Sequence, residues 1–186
     1  MLARAAAEDC LSRRADGDPA TMEARRAALA SATAPERVEQ VAQLAGEQPA
    51  RVVDRAQVLE LEVERAIAAR SRALEASTTD QMVVVTVPDL GGMTIEEFGL
   101  ALGNRWGIGR ADFDNGVLLL VAPRERRVRV EVGCGLEAVL TDARAAAIID
   151  KMTPLFRKGQ FERGVELGFG ELETLLRARP ERHDGL

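Results

Sequence analysis

DNGVLLLVAPRERRVRVEV, residues 114–132, decides the fold. Residues 117–122 are apolar without a break, the mark of a strand covered on both faces. PRER turns the chain at 123–126. Residues 127–132 then alternate charged and apolar, as in a one-sided strand at a sheet edge. The stretch is therefore a hairpin that joins a buried strand to an edge strand.

Reading outward, MVVVTV at 82–87 is a second unbroken apolar run. PDLGGM breaks it, and Thr94 with Glu97 offers a capping box for a helix whose inner stripe is Ile95, Phe98, Leu102 and Trp106. That stripe makes Trp106 a buried structural residue. Strand, helix and strand with a right-handed crossover give a parallel pair, and the hairpin adds an antiparallel third strand. Before it, Leu59, Val63, Ile67, Arg70 and Leu74 recur at helical spacing over 57–76, and EQPARVVD is a connector. After it, a helix begins at about 143, with Ile148, Ile149, Met152 and Phe156 inward, and Pro154 is expected to kink or end it. The last helix, 161–177, turns Val165, Phe169, Leu172 and Leu176 inward. The expected architecture is a three-layer α/β/α sandwich with a small mixed sheet, preceded by a helical N-terminal extension.

The domain reading is an extension over 1–49, an α/β/α domain over 50–178 and a tail over 179–186. The extension holds two helices, one opened by Asp18 and Pro19, the other opened by Pro35 and closed by Gly46. Both are too narrow in their apolar stripes to stand alone, so they lean on the main domain.

Composition narrows the function. The chain has 186 residues, 46% hydrophobic and 30% charged, with a formal net charge of −5 and 3% aromatics. No basic stripe and few stacking rings argue against a nucleic-acid partner. No run of about 18 apolar residues crosses a membrane. The opening MLARAAAEDC lacks the apolar core of a signal peptide. As written, the chain is expected in the cytoplasm or as an export-stripped form. No serine occurs from residue 78 onward, and the single histidine is His183 in the tail. That excludes a Ser/His/Asp triad in the α/β domain. Cys10 and Cys134 have no zinc spacing and are read as unrelated thiols, with one disulfide as the alternative. GCGLEA mimics a dinucleotide fingerprint, but VLTD stands between it and the next helix. DFDNG is not an EF-hand, since position twelve from Asp112 is Pro123.

Oxygen chemistry remains. Strands 82–87 and 117–122 are parallel, so Asp80 and DFDNG share one end, and the returning strand brings GCGLEAVLTD to it. Asp112, Asp114, Asn115, Glu137 and Asp142 therefore gather there. Two readings stay open. Gathered carboxylates bind a hard cation such as Ca²⁺, or Mg²⁺, because they repel one another otherwise. Alternatively Asp142 caps its helix, Asp112 and Asn115 make turn bonds and Glu137 is solvated.

RVVDRAQVL, MVVVTVPDLGGMTIEEFGLALGNRWGIG, DNGVLLLVAPRERRVRVEVGCGLEAVLTD and PLFRKGQFERGV, in order over about 50–178, resemble the TPM domain family. That family occurs in bacterial envelope proteins and in a plant thylakoid lumen protein of photosystem II repair. The resemblance implies the same α/β/α sandwich and divalent cation binding, chiefly calcium. It places family motifs on Asp54, on Asp114, Asn115 and Gly116, on 133–138 and on Asp142. Cys134 replaces the family's Tyr, and Ala138 replaces a motif glycine. The resemblance also implies an envelope or periplasmic home. The function it implies is a non-catalytic module working with a protein partner in membrane-protein maintenance. The alternative is a metal-dependent acid phosphatase, with Arg110 and Arg144 as candidate phosphate-binding cations.

Overall fold

A computed structural model describes residues 35–46 and 50–179. Helices α1 (Pro35–Ala45), α2 (Leu61–Thr78), α3 (Ile95–Trp106), α4 (Asp142–Arg157) and α5 (Phe161–Arg177) surround strands β1 (Val52–Asp54), β2 (Gln81–Thr86), β3 (Gly116–Ala122) and β4 (Arg127–Val132). The helix expected at 18–30 and the tail with His183 lie outside the described residues.

The sheet order is β1-β2-β3-β4. β1 and β2 run parallel to β3, whose register with β2 pairs Met82 with Val117 and Val85 with Leu120. β4 is antiparallel, pairing Val117 with Val132 and Ala122 with Arg127. The hairpin and the crossover thus form as the apolar pattern requires.

Strand alternation sorts the core into two layers. Met82, Val84, Leu119, Val121 and Val130 face α2, α4 and α5, where Ile67, Met152 and Phe169 are buried. Val83, Val85, Leu118 and Leu120 face α3, where Phe98 and Leu102 are buried. β4 turns its valines to the first layer, so Arg127, Arg129 and Glu131 lie on the α3 side.

α1 joins that α3 layer. Its Val41 and Ala45 are buried, Gln40 donates to the Gly91 carbonyl at 2.6 Å, and Trp106 Nε1 donates to the Gly46 carbonyl at 3.3 Å. Gly46, with φ +77°, ends the helix where the sequence places its stop. Trp106 is half-buried rather than buried, because it forms the seam between α3 and the end of α1.

Three details depart from the sequence reading. Residues 52–54, expected within a connector, form the short parallel strand β1 beside β2. Pro154 does not end α4, which continues to Arg157; proline this near a helix end disturbs few backbone bonds. Cys134, expected as a thiol, is disulfide-bonded. The chain's other cysteine, Cys10, lies outside the described residues.

Candidate functional site

The loop before β3 is set by its asparagine. Asn115 is 1% exposed. Its Oδ1 accepts from Arg110 N at 2.9 Å. Its Nδ2 donates to Thr79 O at 2.7 Å and to Asp80 Oδ1 at 3.3 Å. Asp80, also buried, holds Arg179 at 2.8 Å. Asn115 therefore fastens the end of α2 to the start of β3, and its side-chain bonding capacity is spent on the fold.

Asp114 differs. Its φ of +46° is left-handed, a conformation that aspartate tolerates. Its Oδ2 accepts from Cys134 N at 3.0 Å, and its backbone oxygen accepts from Gly135 N at 3.0 Å. The DNG loop is thus docked on the GCG turn. Gly133 makes this approach possible, because a Cβ there would overlap the Asp114 carbonyl. Gly116 serves in the same way against the Ile108 backbone.

Beside Asp114, a cavity of about 110 Å³ opens between α3 and the β3–β4 hairpin. Gly99, Leu100 and Gly103 form its helical wall, Leu118, Val132 and Gly133 the strand wall, and Asp114 and Glu131 its carboxylates. Gly99 lets Glu131 lie against the helix, since a Cβ there would stand 3.1 Å from the Glu131 Cγ. Glu131 Oε1 accepts from Arg129 Nε at 2.7 Å. Burial pulls the Arg129 guanidinium down, but Glu131, then Glu96 and Asp142, outweigh it and hold it above its usual value. Arg129 also bonds the second Glu131 oxygen, Nη2 to Oε2 at 3.4 Å, so Glu131 stands at the cavity as one half of an ion pair.

The other candidate residues are placed apart from one another. Asp54 lies at the opposite end of the sheet, paired in register with Thr86. Its carboxylate accepts from Leu59 N at 2.9 Å and from the Thr86 hydroxyl. There it stands close enough to Glu64 that, after burial, its charge pushes the Glu64 carboxyl up. Asp112 is exposed and ion-paired with Arg110 at 2.9 Å, whose hydrogen bond holds the Asp112 carboxyl below its usual value. Glu137 follows the 3-10 turn at Cys134–Leu136 and is half-buried. Asp142 is exposed in the first turn of α4, and Thr141 rather than Asp142 is the cap. Among the described residues, no three His, Cys, Asp or Glu side chains gather as a metal-holding group. No described helix is long and apolar enough to cross a membrane.

Glu131 and the glycines opposite it were not among the sequence candidates. Their signal was present as the pair Gly99 and Gly103, four apart in an otherwise good helix, where each glycine costs about 1 kcal/mol against alanine.

A family model for the TPM domain matches residues 52–175. No curated protein matches the chain. Among solved structures, the N-terminal domain of a P. gingivalis protein is 33% identical with a TM-score of 0.64, covering 76% of this chain and 90% of that one. The BA42 protein of the psychrophilic bacterium Bizionia argentinensis is 20% identical with a TM-score of 0.57, covering 69% and 88%. The N-terminal domain of the Corynebacterium glutamicum protein cg2496 is 17% identical with a TM-score of 0.55, covering 68% and 79%. The last two speak to the fold alone. With two thirds of its length matched by the family model and a third of its aligned residues shared with a solved N-terminal domain, this chain belongs to the TPM domain family.

Proposed function

We propose that this chain is a divalent-cation-binding module of the cell envelope, non-catalytic, acting through a protein partner in membrane-protein maintenance. The observation that carries the reading is Asp114. The contact between two loops holds its carboxylate at the cavity with Glu131. All the side-chain donors there are oxygens, a set suited to Ca²⁺ or Mg²⁺ and not to Zn²⁺. Two carboxylates leave room for water in the coordination shell, as hard cations accept. The candidate set thereby narrows to Asp114 and Glu131, with the 133–137 turn beside them. Asp54 and Asn115 keep structural roles. The disulfide at Cys134 supports an oxidising compartment such as the periplasm.

Acid phosphatase activity has less support. No Lys or Arg lines the cavity among the described residues. Arg110 is engaged with Asp112 and stacked on Phe113 at 4.5 Å, and Arg144 donates to the Val139 carbonyl.

Thermal melts with calcium and with chelator test the reading. A hundredfold excess of calcium over its dissociation constant stabilises a native-only binder by about 2.7 kcal/mol. For a chain of this size that is about 5–11 °C. Asp114→Ala is expected to abolish the shift. Equal melting temperatures with and without calcium in the unmutated protein would overturn the reading. Calcium-dependent hydrolysis of p-nitrophenyl phosphate, lost in Asp114→Asn, would establish the phosphatase instead.

A further inference from the structure

Asp80 is fully buried, at 0% exposure, where a carboxylate is costly unless an opposite charge meets it. Among the described residues that charge is Arg179, whose side chain is only 11% exposed and whose Nη2 donates to Asp80 Oδ1 at 2.8 Å. Arg179 stands past the end of α5 and beyond residue 175, where the family match stops. A residue in that place ordinarily frays into water. Its Nη1 is buried and has no hydrogen-bond partner among the described residues, so the Asp80 charge, not a complete set of bonds, holds it there.

The same Asp80 oxygen accepts from Asn115 Nδ2 at 3.3 Å. The backbone oxygen of Asn115 accepts from Gln81 N at 3.0 Å. One carboxylate oxygen thus joins the exit from α5 to the loop that presents Asp114. Asp114 needs that support. Its φ of +46° is a left-handed conformation, which persists in a non-glycine residue only where the surroundings hold it.

We propose that Arg179 is a positioning residue for the Asp114 site, acting through Asp80 and Asn115. The proposal rests on the reading of Asp114 as a cation ligand and adds a residue outside the family match that governs it. Without Arg179 the buried Asp80 charge is no longer balanced by it. The carboxylate then takes up a proton or opens to water, and either change disturbs its bond with Asn115. Asp114 follows, and its carboxylate loses its fixed place on Cys134 N. The sign separates this role from simpler ones. Removing a positive charge favours cation binding by Coulomb attraction alone. A merely structural ion pair lowers the melting temperature and leaves the affinity of the folded protein unchanged. Positioning predicts weaker binding.

The test uses the full chain, well below its melting temperature. Calorimetric titration with calcium compares the unmutated protein with Arg179→Met and Arg177→Met. Arg177 is the control, because its Nη1 donates to Ser77 Oγ at 2.9 Å and so pins the same end of α5 to α2 by another route. Arg179→Met is expected to weaken calcium binding about twofold to thirtyfold, the range for residues that act on a site through others. Arg177→Met is expected to leave it unchanged. The second readout is amide hydrogen exchange in chelator. The Cys134 amide, held by Asp114 Oδ2, is expected to exchange faster in Arg179→Met relative to the Val84 amide, which donates to the Arg51 carbonyl within the sheet. Adding Asp80→Asn to Arg179→Met removes the unbalanced charge and keeps an oxygen for Asn115, so both readouts are expected to recover. Arg179→Lys, which keeps the charge and loses the planar fork, replaces Arg179→Met if that variant fails to fold, with a smaller weakening in the same direction. Unchanged Cys134 exchange in the folded variant, or unchanged or tighter calcium binding, would overturn the proposal. If the unmutated protein binds no calcium, the cation reading fails, while exchange and its recovery with Asp80→Asn still decide whether Arg179 positions Asp114.

Discussion

The two ends of the sheet each carry an aspartate at a strand terminus, and they use it differently. Asp54, at the end of β1, spends its carboxylate on the Leu59 amide and the Thr86 hydroxyl. It staples the entry to α2 onto β2. Asp114, before β3, gives one oxygen to Cys134 N and lines a cavity between two glycine-bearing walls. Strand direction makes Asp114 a candidate ligand from the sequence, and the family resemblance adds Asp54. The difference lies in the partners that the fold brings. A carboxylate whose oxygens are bonded within its own loop is part of the scaffold, and one docked beside a cavity has a face left to the surroundings.

The largest expected effect tests the scaffold at the Asp114 end. Asn115→Ala removes a buried side chain that bonds Arg110, Thr79 and Asp80. Leaving buried partners unsatisfied costs about 1–3 kcal/mol per group. A loss of about 3 kcal/mol, or roughly 6–12 °C of melting temperature, is expected by thermal denaturation. A shift below 2 °C would show that Asn115 is not the fastening of this loop.

Next comes Asp114→Ala. It is expected to cancel the calcium-dependent shift of about 5–11 °C and, in chelator, to destabilise by only about 1 kcal/mol for the lost Cys134 bond. Asp54→Ala is its counterpart. It is expected to cost about 1–2 kcal/mol, from two hydrogen bonds, while leaving the calcium shift intact. If Asp54→Ala also removed the calcium shift, the contrast between the two ends would collapse.

Residues 114–132 specify most of the architecture, because pattern and turn chemistry are local. A period of two in RVRVEV and its absence in VLLLVA follow directly from covering one face or both. The short β1 was not legible. Three residues carry no periodicity, and their pairing with β2 is supplied by tertiary contact. The site was half legible. Strand direction brings Asp114 and the 133–137 turn together, as the topology implies. It says nothing of hydrogen-bond partners, so the bonds that Asn115 makes to Arg110, Thr79 and Asp80 could not be foreseen, nor those of Asp54, a candidate by family resemblance, to Leu59 and Thr86. Glu131 was hidden for the opposite reason. Its alternation with Arg127 and Arg129 reads as a solvated face, and only the approach of Gly99 on α3 makes that face a wall.

The smallest effect belongs to Glu64, the neighbour of Asp54. Burial first, and then the Asp54 charge, push its carboxyl above the usual value, with Arg65 opposing. A carboxyl whose folded value exceeds its unfolded one favours folding at low pH. That contribution is complete below the unfolded value of about 4.3 and is lost as pH rises through the folded value. At neutral pH the ionised group is therefore a small net cost, which Glu64→Gln removes. The site is half-buried and near the surface, where substitutions stay within about 0.5 kcal/mol. A gain of about 1–2 °C is expected at pH 7, fading to none below about pH 4, where the native carboxyl is itself protonated. In an Asp54→Asn background the gain is expected to shrink but persist, because burial is the larger cause. A gain that grew toward acid pH would reverse the sign of the argument. A calcium shift altered by Glu64→Gln would show that the two ends of the sheet are coupled.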